Sequence, residues 1–558
     1  ANRLGLKTVG CDLNPVSYWI VRETVKKIDL KRLNEYFIEL SDSVESKIKK
    51  LYKTDCIKCG SESDSLYVFW VRFVNCPNCK NKILLYKNTF LNEGISRTKA
   101  PGENNPATTY CPKCFKLNMW YGTGNVNCCN CDYPYNPAEG TFQQGKCTCT
   151  NCGSQNMPLP EILKHNQILK EELIAIEYYC PECKDRLYKS PSKKDYDLLN
   201  YINDELNNSK DRLILPDQKI IDGDSSARWR NHNYVYYKDV FNSRQILAFN
   251  YLLQGIQEIK DEEYRNAFYT MFSNSLEYNN LMTPYNPPHR KLHHLFNYHA
   301  LPLTTAPVEN SVWGVKDYGA GTFVNCYNRY LLAKEYCINP FDKVIDISGN
   351  VKTIHSKETI SANLVKDFNE LRKTPKGSLL LCGNSADMNM IPSKSIDYVI
   401  TDPPYYDSIH YSELSNFFYV WLQKILSNKY FSKLNVPVKD EAIVNAIMNK
   451  GEDEYEYLMA SVFIECNRTL KEDGYLIFTF HHSKWIAWWK ILRAIVKSNF
   501  IVVDSFPAMS EYKVNPHIRN KQALDMDLVI VCKKHITADL NPANLSTEEI
   551  INLVLSSI

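Results

Sequence analysis

The sequence predicts an α/β protein whose sheet is mostly parallel and is interrupted by a large insertion. From about residue 376 onward, apolar runs of strand length alternate with helical patterns, and residues 1–30 contain a similar strand and helix. Between these two parts, paired cysteines and turn residues replace the alternation. Strands that alternate with helices are typical of parallel sheets covered by helices. The cysteine-rich stretch therefore predicts a separate module inserted into that sheet.

The elements of the predicted sheet can be placed in order along the chain. An apolar run from Thr8 to Cys11 ends in Asp12, and Asn14 with Pro15 then opens a helical pattern. A polar N-cap followed by proline is a common helix start. Later strands are predicted at 378–382, 396–401, 475–480, 501–504 and 528–532, with a helix at 455–470. We assign residues 1–30 and 376–535 to the two parts of this α/β unit.

The remaining residues form three further segments. Residues 50–190 hold most of the cysteines, and residues 191–375 form a mixed helical insert. Helical patterns in that insert lie at 240–258, 261–280 and 324–337. Residues 536–558 form a tail with a short amphipathic helix at 545–556, capped by a Ser-Thr-Glu-Glu run.

Composition indicates a protein of the cell interior. Hydrophobic residues make up 44% of the 558 residues, which is enough for packed cores. The formal net charge is only +3, so any surface that binds nucleic acid must be local. No apolar run approaches the roughly 18 residues of a membrane span, and the first residues lack a signal-peptide pattern. We expect a cytoplasmic location, no membrane partner and reduced thiols, in which clustered cysteines bind metal more often than they form disulfides.

Six Cys-x-x-Cys pairs predict structural zinc sites. Taken in order along the chain, they form three sets of four: Cys56, Cys59, Cys76 and Cys79; Cys111, Cys114, Cys128 and Cys131; and Cys149, Cys152, Cys180 and Cys183. Two tight turns that each aim two thiolates at one point give the tetrahedral site that zinc prefers. Cys129 and Cys147 are additional candidate ligands, and iron–sulfur clusters are the alternative. Because sulfur fills all four positions, we expect these sites to stabilise the fold.

The run Asp402-Pro403-Pro404-Tyr405 is the main catalytic candidate. It follows the apolar run 397–400, predicted as a buried strand, and so lies at a carboxyl end, where α/β sheets bind ligands. An exocyclic amine on a base is a weak nucleophile because its lone pair is delocalised into the ring. Asp402 and the Pro403 carbonyl could each accept one amino hydrogen, and Tyr405 offers a face for a flipped base. The alternative is a proline-containing loop without a catalytic role.

This segment resembles the catalytic motif of the DNA methyltransferases that act on adenine N6 or cytosine N4. The longer run through residue 421 is similar to a narrower group, the prokaryotic adenine-specific DNA methylases that carry a zinc-ribbon module. Four further segments fit that group: Asp12–Val16, Phe241–Gln245, Val308–Gly314 and Gly474–His482. The resemblance implies a Rossmann-like class I methyltransferase sheet, S-adenosylmethionine as cofactor and DNA as partner.

The resemblance also implies where the cofactor binds. Asp12 matches the acidic residue that accepts from the ribose hydroxyls, with Asn14 in the same segment. Asn384 or Asp387 matches the polar position that contacts the adenine amine, although many relatives have Asp directly after the glycine, where this chain has Asn384. The alternative for Asp12 is an acid favoured by the dipole of the following helix.

One expected part of the methyltransferase sheet is missing from the sequence. The family's first strand and its glycine-rich loop should precede Ala1, and neither is present in the chain. The run Lys343–Asn350 is a weaker substitute because it has one glycine where the family has two. We therefore expect a fragment, or one half of a split enzyme that an N-terminal partner segment completes.

The sequence thus predicts a DNA amino-methyltransferase, with adenine N6 favoured over cytosine N4 by the Asp at the first motif position. Residues of about 30–375 would recognise the target, with Arg228–Arg230 and His289–His294 as candidate DNA contacts or solvated loops. His481 and His482 are candidates for the substrate pocket or for a structural role. Such enzymes often belong to restriction or antiphage systems with other subunits. Methylation of RNA or of a protein amide is possible with related motifs. The alternative function is a non-catalytic zinc-ribbon protein that binds nucleic acid.

Overall fold

The structure is a computed structural model that describes residues 1–94, 101–102, 105–164, 169–316, 318–509 and 526–535, with the single positions 546 and 548. Within these residues the chain is a mixed α/β protein with several sheets, as the sequence predicts. The tail at 536–558, with its expected helix, lies outside the described residues apart from those two positions.

The strands are numbered in chain order. They are β1 (Thr8–Asp12), β2 (Lys53–Asp55), β3 (Glu62–Asn75), β4 (Lys82–Leu84), β5 (Phe90–Asn92), β6 (Ala107–Tyr110), β7 (Leu117–Trp120), β8 (Val126–Asn127), β9 (Pro134–Tyr135), β10 (Phe142–Gln143), β11 (Lys146–Cys147), β12 (Met157–Pro158), β13 (Lys170–Cys180), β14 (Asp185–Lys189), β15 (Tyr285–Asn286), β16 (Lys291–Leu292), β17 (Val308–Asn310), β18 (Phe341–Ile345), β19 (Val351–His355), β20 (Asn363–Val365), β21 (Gly377–Cys382), β22 (Ile396–Thr401), β23 (Leu470–Phe480), β24 (Phe500–Met509) and β25 (Met526–Lys534).

The α-helices are numbered in the same way. They are α1 (Pro15–Val25), α2 (Leu30–Lys50), α3 (Leu159–Leu163), α4 (Lys193–Asn208), α5 (Ala227–Arg230), α6 (Ser243–Glu258), α7 (Glu262–Leu276), α8 (Phe323–Ile338), α9 (Phe368–Lys373), α10 (Tyr411–Ile425), α11 (Glu452–Thr469) and α12 (Trp485–Lys497). The helices predicted at 240–258, 261–280, 324–337 and 455–470 correspond to α6, α7, α8 and α11.

Two small sheets contain the strands predicted at the two ends of the chain. The first has the order β1-β21-β20 and is parallel throughout. The second has the order β22-β23-β25-β24, in which β22 and β23 are parallel and β25 is antiparallel to both of its neighbours. We call them the first and second half-sheets. Each has its own apolar core, with Leu379 in the first and Phe478 in the second.

The prediction that the strand before Asp402 is buried was wrong. Tyr398 and Ile400 of β22 are 61% and 74% exposed. The reason is that β22 lies at the edge of its half-sheet, where β23 is its single partner among the described strands. An apolar run of strand length is compatible with a buried central strand, but the run alone does not show whether a neighbour is present on both sides.

The cysteine-rich region is organised around the fourteen-residue strand β3. It pairs with β13 and β17 within the sheet β14-β13-β3-β17, while β2 and β4 pair with its two ends. Successive side chains of β3 face two different clusters, so the neighbours Val68 and Phe69 are both buried. Strand β17 belongs to residues 308–310, so the ribbon sheet is completed from outside the stretch 50–190.

A helical core joins the ribbon sheet to the half-sheets. Helices α1, α2, α6, α7, α8 and α10 bury one continuous apolar cluster. Trp421 of α10 is fully buried and packs edge-on against Phe241, Phe249 and Phe272. Because α10 directly follows the Asp-Pro-Pro-Tyr loop, this cluster fixes that loop relative to the insert.

Candidate functional site

The twelve predicted cysteines form three groups of four, but two of the groupings are corrected by the structure. The groups are Cys56, Cys59, Cys180 and Cys183; Cys76, Cys79, Cys149 and Cys152; and Cys111, Cys114, Cys128 and Cys131. Only the last set matches the grouping by chain order. The first and third predicted sets exchange their second pairs. As a result, the group that begins at Cys56 and ends at Cys183 encloses the other two groups along the chain.

The nested arrangement follows from the length of β3. The turn with Cys59 precedes this strand and the turn with Cys76 follows it. Fourteen residues at about 3.4 Å each separate the two turns by roughly 45 Å, so their thiols cannot share an ion. The antiparallel strand β13 then brings Cys180 back beside the start of β3, with Tyr179 opposite Asp64.

The geometry of each group fits a tetrahedral metal site. Within a group, the sulfur atoms all lie within 4.8 Å of one another. Adjacent Sγ atoms are 3.5 Å apart for Cys59 and Cys180 and 3.7 Å apart for Cys79 and Cys149. Zinc–sulfur bonds of about 2.3 Å in a tetrahedron place sulfurs about 3.8 Å apart. The three groups could therefore hold about three metal ions, consistent with zinc.

The local backbone prepares the thiols to bind metal. The N–H of Cys183 points at Cys180 Sγ at 3.3 Å, and the N–H of Lys58 points at Cys56 Sγ at 3.4 Å. Burial opposes ionisation of Cys180, but hydrogen bonds from Ser61 and from the N–H of Cys183 lower its pKa to about 5. In the same group, hydrogen bonding to Cys59 and Cys180 raises the pKa of Cys183 to about 12, so without metal Cys180 is the member that favours the thiolate, the form that binds metal.

The two additional cysteines lie outside these groups. Cys129 is exposed, and its Sγ contacts the Leu117 carbonyl at 3.8 Å. Cys147 is fully buried in an apolar cluster, and burial raises the pKa of its thiol to about 12. Neither one joins a four-cysteine group of the described residues.

Asp402 directly follows Thr401, the last residue of β22, and so lies at the carboxyl end of that strand. Its Oδ1 accepts a hydrogen bond from the Tyr405 hydroxyl at 2.6 Å and another from Thr479 at the end of β23. Burial raises the pKa of Tyr405, so this hydroxyl stays protonated and acts as the donor. The loop itself, through Tyr405, and the neighbouring strand β23, through Thr479, thus hold the Asp402 carboxylate in one orientation.

A separate set of contacts holds Pro404 and Tyr406, the residues on either side of Tyr405. Tyr406 has a left-handed φ of 57°, and its carbonyl accepts from the Val444 N–H at 2.8 Å. The Pro404 carbonyl accepts from the Tyr455 hydroxyl at 3.0 Å. A left-handed tyrosine persists only where its surroundings fix it. The loop is therefore a defined turn and not an unstructured connection.

His481 and His482 both lie beside this loop, in different ways. His482 is buried and donates from Nε2 to Asp407 at 2.9 Å, while its Nδ1 accepts from the Lys484 N–H at 3.0 Å. Both ring nitrogens of His482 therefore have partners within the chain, which favours a structural role for this residue. His481 lies nearly parallel to the Tyr405 ring at 6.5 Å and pairs with Asp527. His481 is the one that faces the candidate base-stacking ring.

The predicted cofactor residues lie at the carboxyl ends of β1 and β21. The Asp12 carbonyl accepts from the Gly383 N–H at 2.9 Å, so Asp12 and Asn384 lie on neighbouring strand ends. Asp12 Oδ1 accepts from the Asn14 N–H at 2.7 Å, and burial raises the pKa of Asp12. Asn14 Oδ1 accepts from the Val16 N–H at 3.0 Å, which confirms it as the N-cap of α1.

In the segment with Asn384 and Asp387, the polar side chains are partly occupied by hydrogen bonds within their own turn. Asn384 Oδ1 accepts from the Ala386 N–H at 2.9 Å, and Asp387 Oδ1 accepts from the Asn389 amide at 2.5 Å. The same loop contacts α11, where Glu465 accepts from the Met388 N–H at 3.0 Å. These contacts join the loop of the first half-sheet to the second half-sheet.

The substitute for the glycine-rich loop is excluded by its pairing. Lys343–Ile345 belongs to β18, which pairs antiparallel with β19 in an isolated hairpin. Asp346 and Gly349 form the turn of that hairpin. The segment therefore is not a strand of either half-sheet.

Three residues of the two candidate DNA-contact runs have partners within the chain. Trp229 is fully buried and donates to the Pro302 carbonyl, and Arg230 pairs with Asp222 at 2.8 Å. Arg290 binds the fully buried Glu177. These contacts give Trp229, Arg230 and Arg290 a structural role, and the contact of the two runs with DNA stays a prediction.

Two segments of the family resemblance meet at Glu309, a role that sequence reasoning missed. Glu309 is fully buried and accepts from Asn242 at 2.8 Å and from Trp70 at 3.1 Å. Arg244 lies 3.3 Å from its other oxygen. The residues of Phe241–Gln245 and Val308–Gly314 thus tie the helical core to β3. The available signal was a glutamate inside the segment Val308–Gly314 that carries the resemblance, but its partners are distant in sequence.

No protein-family model matches the chain, and a search of the curated proteins gives no match either. Among the helices in the described part of the chain, none is long and apolar enough to cross a membrane.

Proposed function

We propose that this protein is an S-adenosylmethionine-dependent DNA methyltransferase that methylates an exocyclic amine, with adenine N6 as the favoured target. The observation that supports the proposal is the defined turn at Asp402–Tyr405 on the carboxyl end of a parallel strand. Asp12 and Asn384 follow two other parallel strands, whose carboxyl ends would face the same ligand. The Rossmann-like methyltransferase fold and the DNA partner are part of this proposal.

The side chains of Asp12 and Asn384 have the chemistry that S-adenosylmethionine requires. The Asp12 carboxylate would accept from ribose hydroxyls, and the amide of Asn384 would contact the adenine ring. When bound, S-adenosylmethionine supplies a methyl group on a positively charged sulfur, which is the electrophile of the reaction. The chain contributes orientation and exclusion of water, because the transfer is direct and needs no covalent intermediate on the protein.

The residues of the turn have distinct roles in the proposed mechanism. Asp402 accepts one hydrogen of the target amine, and the Pro403 carbonyl accepts the other. This would draw the nitrogen toward a tetrahedral geometry and expose its lone pair to a methyl donor. As the N–C bond forms and the methyl–sulfur bond breaks, the nitrogen would lose one proton to the Asp402 carboxylate and from there to water. The Tyr405 ring stacks on the flipped base, with His481 lying on its other side as a parallel neighbour. Thr479 holds Asp402 in place.

Transfer of a labelled methyl group from S-adenosylmethionine to mixed-sequence DNA tests the proposal. We expect label in N6-methyladenine, loss of label in Asp402→Asn, and retention in Asp397→Asn. Asp397 is an exposed carboxylate on the same strand that pairs with Lys471, so it controls for the loss of one charge. Label in the Asp402→Asn variant equal to that of the parent protein would reject the proposed role of Asp402.

The second candidate function is a nucleic-acid-binding protein with zinc ribbons and no catalysis. The exposed edge of β22 favours it, because a methyltransferase sheet would cover that edge. Binding of DNA by the chain without any methyl transfer would support this second function.

A further inference from the structure

One exposed tryptophan lies close to the Asp402–Tyr405 turn. Trp485 is 74% exposed, whereas the other eight tryptophans of the chain are buried or half-buried. Among the residues that the structure describes, its ring belongs to no apolar cluster and lies against no other ring. Scattered exposed apolar side chains are ordinary on protein surfaces, so the meaning of this one depends on where it lies.

The turn that carries Trp485 runs along the loop of the catalytic candidates. It starts after β23, where His481 lies nearly parallel to the Tyr405 ring at 6.5 Å. Lys484, the residue before Trp485, pairs with the Asp407 carboxylate two residues after Tyr405. Trp485 is therefore one residue away from a direct contact with that loop.

The first turn of α12 holds this position firmly. Trp488 donates from its indole nitrogen to the His482 carbonyl at 2.9 Å and packs edge-on against Phe480 at 4.9 Å. Ala487 and Ile491 of the same helix are fully buried. Because the backbone is fixed before a ligand arrives, binding through this side chain loses little conformational entropy.

A base that leaves the DNA stack leaves a gap behind it. Under the proposed function the target base turns out of the duplex to reach Tyr405, so the DNA loses the pairing and the stacking of that base. Proteins offset such a loss by inserting an apolar side chain between base steps or by stacking an aromatic ring on a base. A residue with this role must be apolar, exposed, firmly held and close to the site of the flipped base.

Trp485 meets these conditions better than its neighbours do. Within the described segments that border the site, 402–411 and 481–485, the exposed apolar side chains are those of Trp485 and Tyr411. Tyr411 is 49% exposed, but it already has a partner in the chain. Lys484 is exposed as well, but it is charged and its ammonium group is engaged by Asp407.

We propose that Trp485 inserts into the DNA stack at the place that the flipped base leaves, and that its ring stacks on the partner base that remains there. The inference rests on the proposed function, because it names how DNA is held at the same site. When the target is adenine, the remaining base is a thymine. The contact uses the face of a base and not its hydrogen-bonding edge, so it tolerates different sequences around the target.

Crosslinking to bromouracil tests the contact without any methyl transfer. The full chain is bound to mixed-sequence duplex DNA that contains 5-bromouracil in place of thymine, and the complex is irradiated. Bromouracil links under ultraviolet light to an aromatic ring that lies against it, and peptide mapping identifies the linked residue. We expect a link at Trp485, because the partner of a flipped adenine is itself a bromouracil in this DNA.

Kinetics of methyl transfer then separate a contact with DNA from a structural role. Trp485→Ala should lower kcat/KM for mixed-sequence DNA about tenfold or more, since stacking of one base on an aromatic ring has an effect of that order. Trp485→Phe should retain most of the activity, and binding of S-adenosylmethionine should be unchanged in both variants. Tyr457→Ala, which removes an exposed aromatic side chain (66%) from α11, is the matched control and should leave kcat/KM unchanged.

The outcomes distinguish this inference from the proposed function. Methyl transfer by the parent without a link at Trp485, or with the link at Tyr411 instead, would overturn the inference alone. Equal kcat/KM in Trp485→Ala and the parent, or a matching loss of S-adenosylmethionine binding in that variant, would also overturn it. A link at Trp485 without any methyl transfer would support the contact and reject the methyltransferase, and a chain that binds no DNA would overturn both.

Discussion

The nested grouping of the cysteines makes a prediction that the grouping by chain order contradicts. Replacement Cys59→Ser removes one ligand from the group formed with Cys180 and Cys183. Cys56 loses its metal in either arrangement. In the nested arrangement, the other two freed thiols are those of Cys180 and Cys183, which lie more than a hundred residues away. In the chain-order arrangement, they would be those of Cys76 and Cys79.

The stabilising effect of each site can be compared through the loop that it closes. Cys59 and Cys180 are 121 residues apart, whereas Cys114 and Cys128 are 14 residues apart. The loop-closure relation used for crosslinks gives about 5 kcal/mol for the longer loop and about 3 kcal/mol for the shorter one. We therefore expect Cys59→Ser to destabilise the chain by about 2 kcal/mol more than Cys114→Ser.

Zinc analysis and thiol alkylation measure both effects. Each variant should retain about two of about three zinc ions, and peptide mapping of alkylated cysteines identifies the thiols that have lost metal. Urea unfolding followed by the intrinsic tryptophan fluorescence gives the difference in stability. Alkylation of Cys76 and Cys79 in Cys59→Ser, with Cys180 protected, would refute the nested arrangement. Equal destabilisation by the two substitutions would refute the loop-closure argument alone.

Three further predictions concern single side chains. Glu309→Gln should lower the free energy of unfolding by about 3–5 kcal/mol because it leaves the buried Arg244 without a charged partner. Glu358→Gln, which removes the charge from the more exposed pair with Arg3, is the control and should cost less than about 1 kcal/mol in the same urea titration. Burial opposes ionisation of Asp407, but hydrogen bonds from Lys484 and His482 hold the pKa of this carboxyl below its ordinary value. The ionised Asp407 therefore stabilises the fold fully above pH about 4, and this stabilisation is lost as the pH falls through the lowered pKa. The parent protein should melt at a higher temperature than Asp407→Asn near neutral pH, and this difference in melting temperature should disappear in acid. A difference that stays constant with pH would contradict this expectation. Thr479→Val should reduce the kcat of methyl transfer roughly tenfold or more, and Thr479→Ser should restore it, because the hydroxyl orients the Asp402 carboxylate; equal rates in Val and Ser variants would contradict that role.

The sequence was sufficient to identify the twelve cysteines of the three groups, but it did not show which cysteines share a group. A Cys-x-x-Cys pair is a local turn, and its spacing identifies it without knowledge of the fold. Which two turns meet depends on the pairing of β3 with β13, and the register of that pairing contains two irregularities. Nearest neighbours in the chain are the simplest assumption, and they fail where a long strand separates two turns. The middle group was predictable because a short connection joins its two hairpins.

The buried charges were less predictable than the thiols. Arg290 and Trp229 were candidates for DNA because cations beside aromatic rings occur at nucleic-acid surfaces. Their partners, Glu177 and the Pro302 carbonyl, are more than seventy residues away in the chain. Composition alone cannot distinguish an exposed basic patch from a buried ion pair, because both use the same residue types. The same limitation concealed the role of Glu309.

The Asp402–Tyr405 turn and the residues proposed for the cofactor are held by different parts of the fold. The turn is held from within the second half-sheet, since Tyr455, Val444 and Thr479 all contact it. Asp12, in contrast, ends β1, which pairs with β21 in the first half-sheet. A substitution such as Thr479→Val should therefore disturb the orientation of Asp402 and leave the surroundings of Asp12 unchanged. Under the proposed function, its effect should lie in the orientation of the target amine and not in the binding of the cofactor.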